Sequence, residues 1–151
     1  MNKKLISVIV PCYNEAEALP FFFDELDKVI DSMPEYNFEA IYVDDGSKDA
    51  TLEIIRNRAK KDKRTRFVSF SRNFGKEAGM LAGLRSAKGD YAVIMDADLQ
   101  DPPSLLPQMM SILKEKRWIL LQREGVPARV SRPSEAFLRN AFMESLIRSL
   151  K

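Results

Sequence analysis

The sequence predicts an α/β domain, a mostly parallel sheet with helices on both faces. Three observations carry that expectation. Short apolar, β-branched runs alternate with longer stretches whose apolar residues recur at helical spacing. Hydrophobic residues make up 45% of the 151 positions, enough for one packed core and not comfortably for two. A cluster of polar residues follows each strand-like run, which is where ligands bind in such sheets.

The elements follow in order along the chain. Leu5–Pro11 (LISVIVP) reads as a buried strand. Ala16–Ser32 places Leu19, Phe22, Phe23, Leu26, Val29 and Ile30 on one side of a helix, and Pro34 follows its end. Ala40–Val43 is a second strand, stopped by Asp44-Asp45-Gly46-Ser47. Asp49 or Ser47 is placed to cap a helix over Thr51–Lys61. Phe67–Phe70 is a third strand. Gly75–Ser86 reads as a helix in which Gly75, Gly79 and Gly83 recur every four residues, a pattern of close helix–sheet packing. Tyr91–Met95 is a fourth strand, Asp96–Pro103 a loop, and Ser104–Lys116 a fourth helix.

Composition removes several kinds of chemistry. Histidine is absent, which excludes Ser-His-Asp and Cys-His triads and His-bearing zinc sites. A single cysteine, Cys12, excludes an internal disulfide and fits a reducing compartment. A net charge of +2 gives no general argument for nucleic acid as a partner. No apolar run approaches the ~18–20 residues that span a bilayer, and Met1-Asn-Lys-Lys leads straight into a strand with no signal-peptide character. The expected location is cytoplasmic. Chemistry must then rest on carboxylates, a hard metal, amides or cationic side chains.

Four clusters can supply it. In Pro11-Cys-Tyr-Asn-Glu15, Tyr13 is suited to stack on a base, and Asn14 and Glu15 to hydrogen-bond its edge or the ribose; a turn with a helix cap is the plainer reading. Asp44 and Asp45 are adjacent carboxylates at a strand end, costly to bury unpaired and able to accept from a uracil or guanine N–H and from ribose hydroxyls. Arg72 and Lys76 precede a helix N-terminus and together are suited to a diphosphate; the plainer alternative is a solvated basic turn. Neither a phosphate-binding G-x-x-x-x-G-K-[ST] nor a dinucleotide G-x-G-x-x-G is present. In Asp96-Ala-Asp98-Leu-Gln100-Asp101-Pro-Pro103 the two carboxylates alternate, so both cannot point into the core. Carboxylate and amide oxygens beside a diphosphate suit Mg²⁺ or Mn²⁺. The basic run Lys60–Arg66 reads as a solvated helix end and connector.

Val8-Ile-Val-Pro-Cys-Tyr-Asn-Glu15, Val43-Asp-Asp-Gly-Ser47, Ser71-Arg-Asn-Phe-Gly-Lys76 and Asp96–Pro103 together resemble, in order, the motifs of family 2 glycosyltransferases. The DADLQDPP form is similar to the branch containing dolichol-phosphate mannose synthases and bactoprenol glucosyltransferases. The resemblance covers roughly Lys4–Lys116. It implies a GT-A (Rossmann-like) fold and an inverting transfer, at the cytoplasmic face of the membrane, from a UDP- or GDP-sugar to a polyprenyl phosphate. It implies nucleoside contacts for Pro11, Tyr13, Glu15, Asp44 and Asp45, donor, metal and catalytic roles for Asp96, and metal ligation by Asp98 and Gln100, with Asp98 also catalytic. A saccharide acceptor, a catalytically dead nucleotide-binding fragment and a nucleotidyltransferase are the alternatives. The last normally opens with a Gly-rich basic loop, where this chain has Cys12-Tyr-Asn-Glu15.

At Arg117 the family pattern stops. Before it the chain has eleven Lys, six Arg and eleven Asp, and from it onward one Lys, six Arg and no Asp, a shift that suggests a changed codon register. Reading the third base of each codon with the first two of the next permits a continuation with the basic stretch KRGSSRKGEPP and the amphipathic IRSFFAKCFYGIINQI, both of the family's kind. The expectation is a frameshift near Lys116. Residues 1–116 would then be an incomplete, C-terminally truncated nucleotide-sugar-binding domain, and 117–151 an atypical tail, helical or disordered. Arg123, Arg129 and Arg132 would not inherit acceptor roles, the segments that meet the membrane surface would be missing, and the chain would bind donor without transferring it.

Overall fold

The computed structural model describes residues 2–116; the tail expected over 117–151 lies outside the described residues. The continuously buried first strand sets the architecture. β1 (Leu5–Cys12) buries Ile6, Val8 and Val10 on one face and Ser7 and Ile9 on the other, so both faces must be covered. It pairs in parallel with β2 (Asn37–Asp44) on one side and β4 (Tyr91–Ile94) on the other, and β2 pairs in parallel with β3 (Thr65–Ser69). The order across the sheet is β3-β2-β1-β4.

The main core lies on the Ile6/Val8/Val10 face. α1 (Leu19–Ser32) buries Leu19, Phe22, Phe23, Leu26 and Val29 there, and Tyr42 of β2 meets Phe22 and Phe23 edge-on. Burying each such side chain contributes about 1.5–3 kcal/mol. α2 (Thr51–Lys61) adds Ile55, and α4 (Leu106–Lys116) adds Leu106, Met109 and Met110 beside Val93 and Met95. α3 (Lys76–Ser86) covers the opposite face of β1 and β2. Gly79 lets it approach: a Cβ there would lie 3.5 Å from Pro11 and 3.7 Å from Val43. At Gly83 a Cβ would overlap the Cγ2 methyl of Ile9. Gly75 does not belong to this packing. A Cβ there would touch nothing, and its φ of 98° marks it as the hinge at which the chain turns into α3.

Element ends moved where backbone hydrogen bonding, not side-chain pattern, sets them. β2 starts at Asn37 instead of Ala40 because its ladder with β1 runs unbroken from Leu5↔Asn37 to Cys12↔Asp44. β3 starts at Thr65 for the same reason, since Ala40 pairs with it. α1 starts at Leu19 and not Ala16: Ala18 and Leu19 both donate to the Glu15 carbonyl in a preceding turn, and Pro20 sits in the first helical turn.

A buried carboxylate ties the far end of the sheet together. Glu39 accepts from Ser7 Oγ (2.6 Å), the Lys88 N–H (2.6 Å) and Arg66 (2.8 Å), and Arg66 also donates to the Ser86 carbonyl. Burial pushes Glu39 up, and the hydrogen bonds from Ser7, Lys88 and Arg66 outweigh it, holding the group below the usual carboxylate range. These bonds fix the end of α3 and the lead-in to β4, which in turn sets where β4 delivers its terminal carboxylates.

Candidate functional site

The chain steps outward through β2 and β3 and then crosses to the other side of β1 for β4. Strand order therefore reverses between β1 and β4, and a crevice is expected outside their carboxyl ends. An open cleft of about 240 Å³ lies there. Pro11, Cys12, Tyr13 and Glu15 from the end of β1, Asp45 after β2, Asn73, Gly75 and Lys76 after β3, and Asp96 and Asp98 after β4 line it. The four separated clusters thus meet in one place.

Each side chain is placed by a local device. Beyond β4, Ala97 is buried and the flanking Asp96 and Asp98 line the cleft, the alternation expected of an extended chain. Asp98 Oδ1 accepts the Gln100 N–H at 3.1 Å, and Leu99 between them adopts a left-handed φ of 62°. The loop after β1 is held by that after β2. Asn14, at φ 55°, takes Ser47 Oγ on its N–H and accepts from the Lys48 N–H at 2.9 Å, while the Glu15 N–H donates to Thr51 Oγ1 at 2.7 Å. Asn14 thereby joins two loops. Neither Ser47 nor Asp49 holds the N-cap position of α2, which is Ala50; Asp49 accepts the Thr51 N–H at 2.9 Å from one residue further out.

The paired aspartates part company. Asp44 ends β2, is buried, and accepts from the Ser47 N–H and Ser69 Oγ at 3.3 and 3.4 Å; it is not among the lining residues. Asp45 does line the cleft, and its two oxygens accept the N–H groups of Phe74 (2.6 Å) and Gly75 (2.9 Å). The backbone donors ahead of α3 are thus turned onto Asp45. Gly46 makes this closure possible: at φ 67°, a Cβ would press on the backbone of Arg72 and Asn73. Arg72 stacks over Phe74, 4.5 Å from the ring centroid, and does not line the cleft. Gln100 is exposed and also absent from the lining. Asn73 was not singled out from the sequence; a neutral amide carries no charge signal, and only its place in the Ser71–Lys76 cluster marked it.

Electrostatically the cleft is acidic. Glu15, Asp45, Asp96 and Asp98 face one lining cation, Lys76, whose Nζ donates to Asp96 Oδ2 at 2.6 Å. Burial, then the charges of Asp98 and Asp96, push the Glu15 carboxyl above its ordinary value, with Lys76 opposing. Burial and the neighbouring carboxylates of Glu15, Asp44 and Asp96 push the Cys12 thiol well up, so it stays protonated and unreactive.

Asp96 and Asp98 fit Mg²⁺ or Mn²⁺, which are held through one or two carboxylates plus substrate phosphates. Among the described residues no three His, Cys, Asp or Glu side chains form a ready metal cage, so diphosphate oxygens and water would have to supply the other ligands.

Comparison with known proteins identifies the family and supports the fold. Residues 7–134 match the family described as Glycosyl transferase family 2, a span that runs past Lys116. The chain is 42% identical over 105 residues to a prophage bactoprenol glucosyl transferase homolog of Escherichia coli (strain K12), covering 70% of this chain and 34% of that protein. It is 39% identical over 108 residues to the undecaprenyl-phosphate 4-deoxy-4-formamido-L-arabinose transferase of Aeromonas hydrophila, covering 71% and 33%. The chain thus spans about a third of the length of these relatives. Among solved structures, a mannosyltransferase from Pyrobaculum calidifontis in complex with GDP-Man and Mn²⁺ superposes with a TM-score of 0.62 at 28% identity, covering 75% of this chain and 33% of that one. Staphylococcus aureus TarS in complex with UDP gives 0.63 at 26%, covering 85% and 38%.

Proposed function

The chain belongs to glycosyl transferase family 2, and we propose that it forms the donor half of an enzyme that moves a sugar from UDP or GDP to a polyprenyl phosphate, at the cytoplasmic face of the membrane. One observation carries this reading. Four carboxylates at the switch point line a cleft with a single lysine, an arrangement that would repel a bare diphosphate and accept one bound to a divalent cation. The relatives named for bactoprenol and undecaprenyl phosphate support the acceptor, and the neighbours solved with GDP-Man or UDP support the donor.

In this account Tyr13, 42% exposed at the cleft wall, offers its ring to the base. Glu15 and Asn73 offer hydrogen bonds to the nucleoside. Asp45 and Gly46 act by position: they lock the Phe74–Gly75 turn against the end of β2 and so aim Lys76, while Asp44 holds Ser47 and Ser69 beside them. Pro11 closes the cleft floor under α3. Asp96 and Asp98 would hold the Mg²⁺ or Mn²⁺, with Gln100 bracing Asp98 through its N–H. Once bound, the cation neutralises charge developing on the departing diphosphate.

Transfer needs no general base, which suits a chain without histidine. A phosphate monoester has its second pKa near ~6, so its oxygen is already a nucleophile at neutral pH. That oxygen attacks the anomeric carbon from the face opposite the diphosphate. The C–O bond to the nucleoside diphosphate breaks with its electron pair on the leaving group, and configuration inverts. Positioning and electrostatics provide the acceleration.

Acceptor binding needs cations for the phosphate and an amphipathic surface for the lipid. Among the described residues the cleft lining supplies only Lys76, already facing Asp96. The acceptor site is therefore proposed to lie outside residues 2–116. No helix of the described residues is long and apolar enough to cross a membrane. The test compares this chain with a protein whose frame is restored and extended to its natural stop. Each is assayed with membranes, polyprenyl phosphate and labelled UDP- and GDP-sugars. Lipid-linked sugar is expected from the restored protein alone. Equal rates would place the acceptor site within the present chain, and no product from either would reject polyprenyl phosphate as acceptor.

A further inference from the structure

Lys76 and Asp96 reach the cleft from opposite walls, the first from the start of α3 and the second from the end of β4. Their contact at 2.6 Å joins loops twenty residues apart in sequence, and both side chains retain solvent access, at 58% and 33%. Asp96 is also one of the two carboxylates offered to a divalent cation. An ammonium and a cation cannot both hold the same oxygen at close range without strong mutual repulsion.

We propose that Lys76 is an exchangeable counter-ion, which neutralises Asp96 while the cleft is empty and passes to the diphosphate oxygens when a nucleotide arrives with its cation. This rests on the donor-site reading above. The local charges explain why such a residue is placed here. Glu15, Asp96 and Asp98 crowd one wall and would repel each other with nothing positive between them. A lysine suits the exchange better than an arginine, being a compact charge on a flexible stem with three rotatable donors. The Asp45 bonds to Phe74 and Gly75 hold the backbone just before Lys76, so that its side chain can swing while its root stays fixed.

The consequence is a pair of effects with opposite signs. Metal alone must displace the ammonium, so Lys76 weakens binding of the bare cation. A diphosphate arriving with the metal gains the freed ammonium as a hydrogen-bond donor to its oxygens, so Lys76 strengthens binding of the complex. Metal and nucleotide are thereby made to bind together, a coupling between two ligands that neither carboxylate alone provides.

The test uses the full chain, with Mn²⁺ binding followed by electron paramagnetic resonance and nucleotide binding by calorimetry. Lys76→Met is expected to bind Mn²⁺ alone about two- to fivefold more tightly, the worth of a solvent-accessible ion pair. The same variant is expected to bind UDP or GDP about tenfold more weakly at saturating Mn²⁺, from loss of a hydrogen bond to a charged group. Lys76→Arg keeps the charge and should leave the affinity for Mn²⁺ alone near the wild-type value. Circular dichroism checks that the variants fold alike. If Lys76→Met leaves affinity for Mn²⁺ alone unchanged or lowers it while the wild-type chain binds nucleotide with Mn²⁺, the exchange is wrong and the donor site stands. If the wild-type chain binds neither nucleotide with Mn²⁺, both are overturned.

Discussion

Two glycines one helical turn apart, on the same face of α3, should respond to alanine with opposite signs. Alanine is the better helix former, by about 1 kcal/mol, and that gain is available at both positions. The surroundings decide the rest. At Gly79 the new methyl would sit 3.5 Å from Pro11 and 3.7 Å from Val43, ordinary contact distances, so Gly79→Ala should stabilise by up to ~1 kcal/mol. At Gly83 it would overlap Cγ2 of Ile9 and lie 3.4 Å from Val43 Cγ2. Ile9 is fully buried on the central strand and β-branched, so that methyl has no low-energy rotamer to escape into. Overpacking of this kind costs about 1–3 kcal/mol, and the rigid neighbour argues for the upper end. Gly83→Ala should then be a net loss of ~2 kcal/mol, and the two variants should differ by ~3 kcal/mol. Urea unfolding reads the difference as a midpoint separation of roughly 1–2 M. Because α3 carries Lys76 at its start, Gly83→Ala should also weaken nucleotide binding while Gly79→Ala should not. Equal midpoints for the two variants would refute the close approach of α3 to β1.

The Glu39 network should make the fold acid-sensitive. Its carboxyl is held below the ordinary range, so the stability it contributes is present above the unfolded-state value and is lost as pH falls through the folded one. Glu39→Gln should cost about 1–3 kcal/mol at neutral pH by stripping charge from the Arg66 contact, and should flatten the fall in stability on the acid side; an unchanged slope in pH-dependent urea unfolding would count against the network. Gly46→Ala should push the Arg72–Asn73 backbone away and open the Asp45 clasp on Phe74 and Gly75. Amide hydrogen exchange would register faster exchange at those two N–H groups, and unaltered protection would argue against the clasp. Sequencing the coding DNA around Lys116 should reveal a lost or gained base; an intact frame that reads through Arg117 would remove the basis for expecting a truncated acceptor site.

How far the sequence could be read follows from what each feature depends on. β1 and α1 were legible because apolar periodicity alone specifies them: LISVIVP must be covered on both faces, and Phe22, Phe23 and Leu26 must share one. The meeting of four polar clusters was legible because a parallel sheet delivers all its strand ends to the same side. The division of labour inside the clusters was not. Asp44 and Asp45 are identical in sequence terms, and only the strand register, which pairs Asp44 with Cys12 and Ser69, turns one inward and leaves the other to clasp the next loop. Asn14 also braces the loop after β1 against that after β2, a role set by a left-handed backbone that sequence does not announce. Asp96 was legible as a carboxylate and not as the partner of Lys76, since that contact depends on where α3 docks. Gly75 shared the four-residue spacing of its neighbours yet serves as a hinge, because spacing cannot distinguish a packed glycine from one at positive φ.

The proposed function requires that an acidic cleft take up a nucleotide diphosphate by way of a divalent cation. Calorimetric titration of the folded chain with UDP and with GDP, in the presence and absence of Mn²⁺, measures this directly, with Asp98→Ala as the matched control. One of the two nucleotides should bind, Mn²⁺ should strengthen it by at least about tenfold, in line with charge-assisted contacts, and Asp98→Ala should abolish the enhancement while leaving weak binding of the nucleoside. Absence of binding by either nucleotide at roughly millimolar concentration with Mn²⁺, a sensitivity limit of only about −4 kcal/mol, or an Mn²⁺ enhancement that survives Asp98→Ala, would contradict the proposed function.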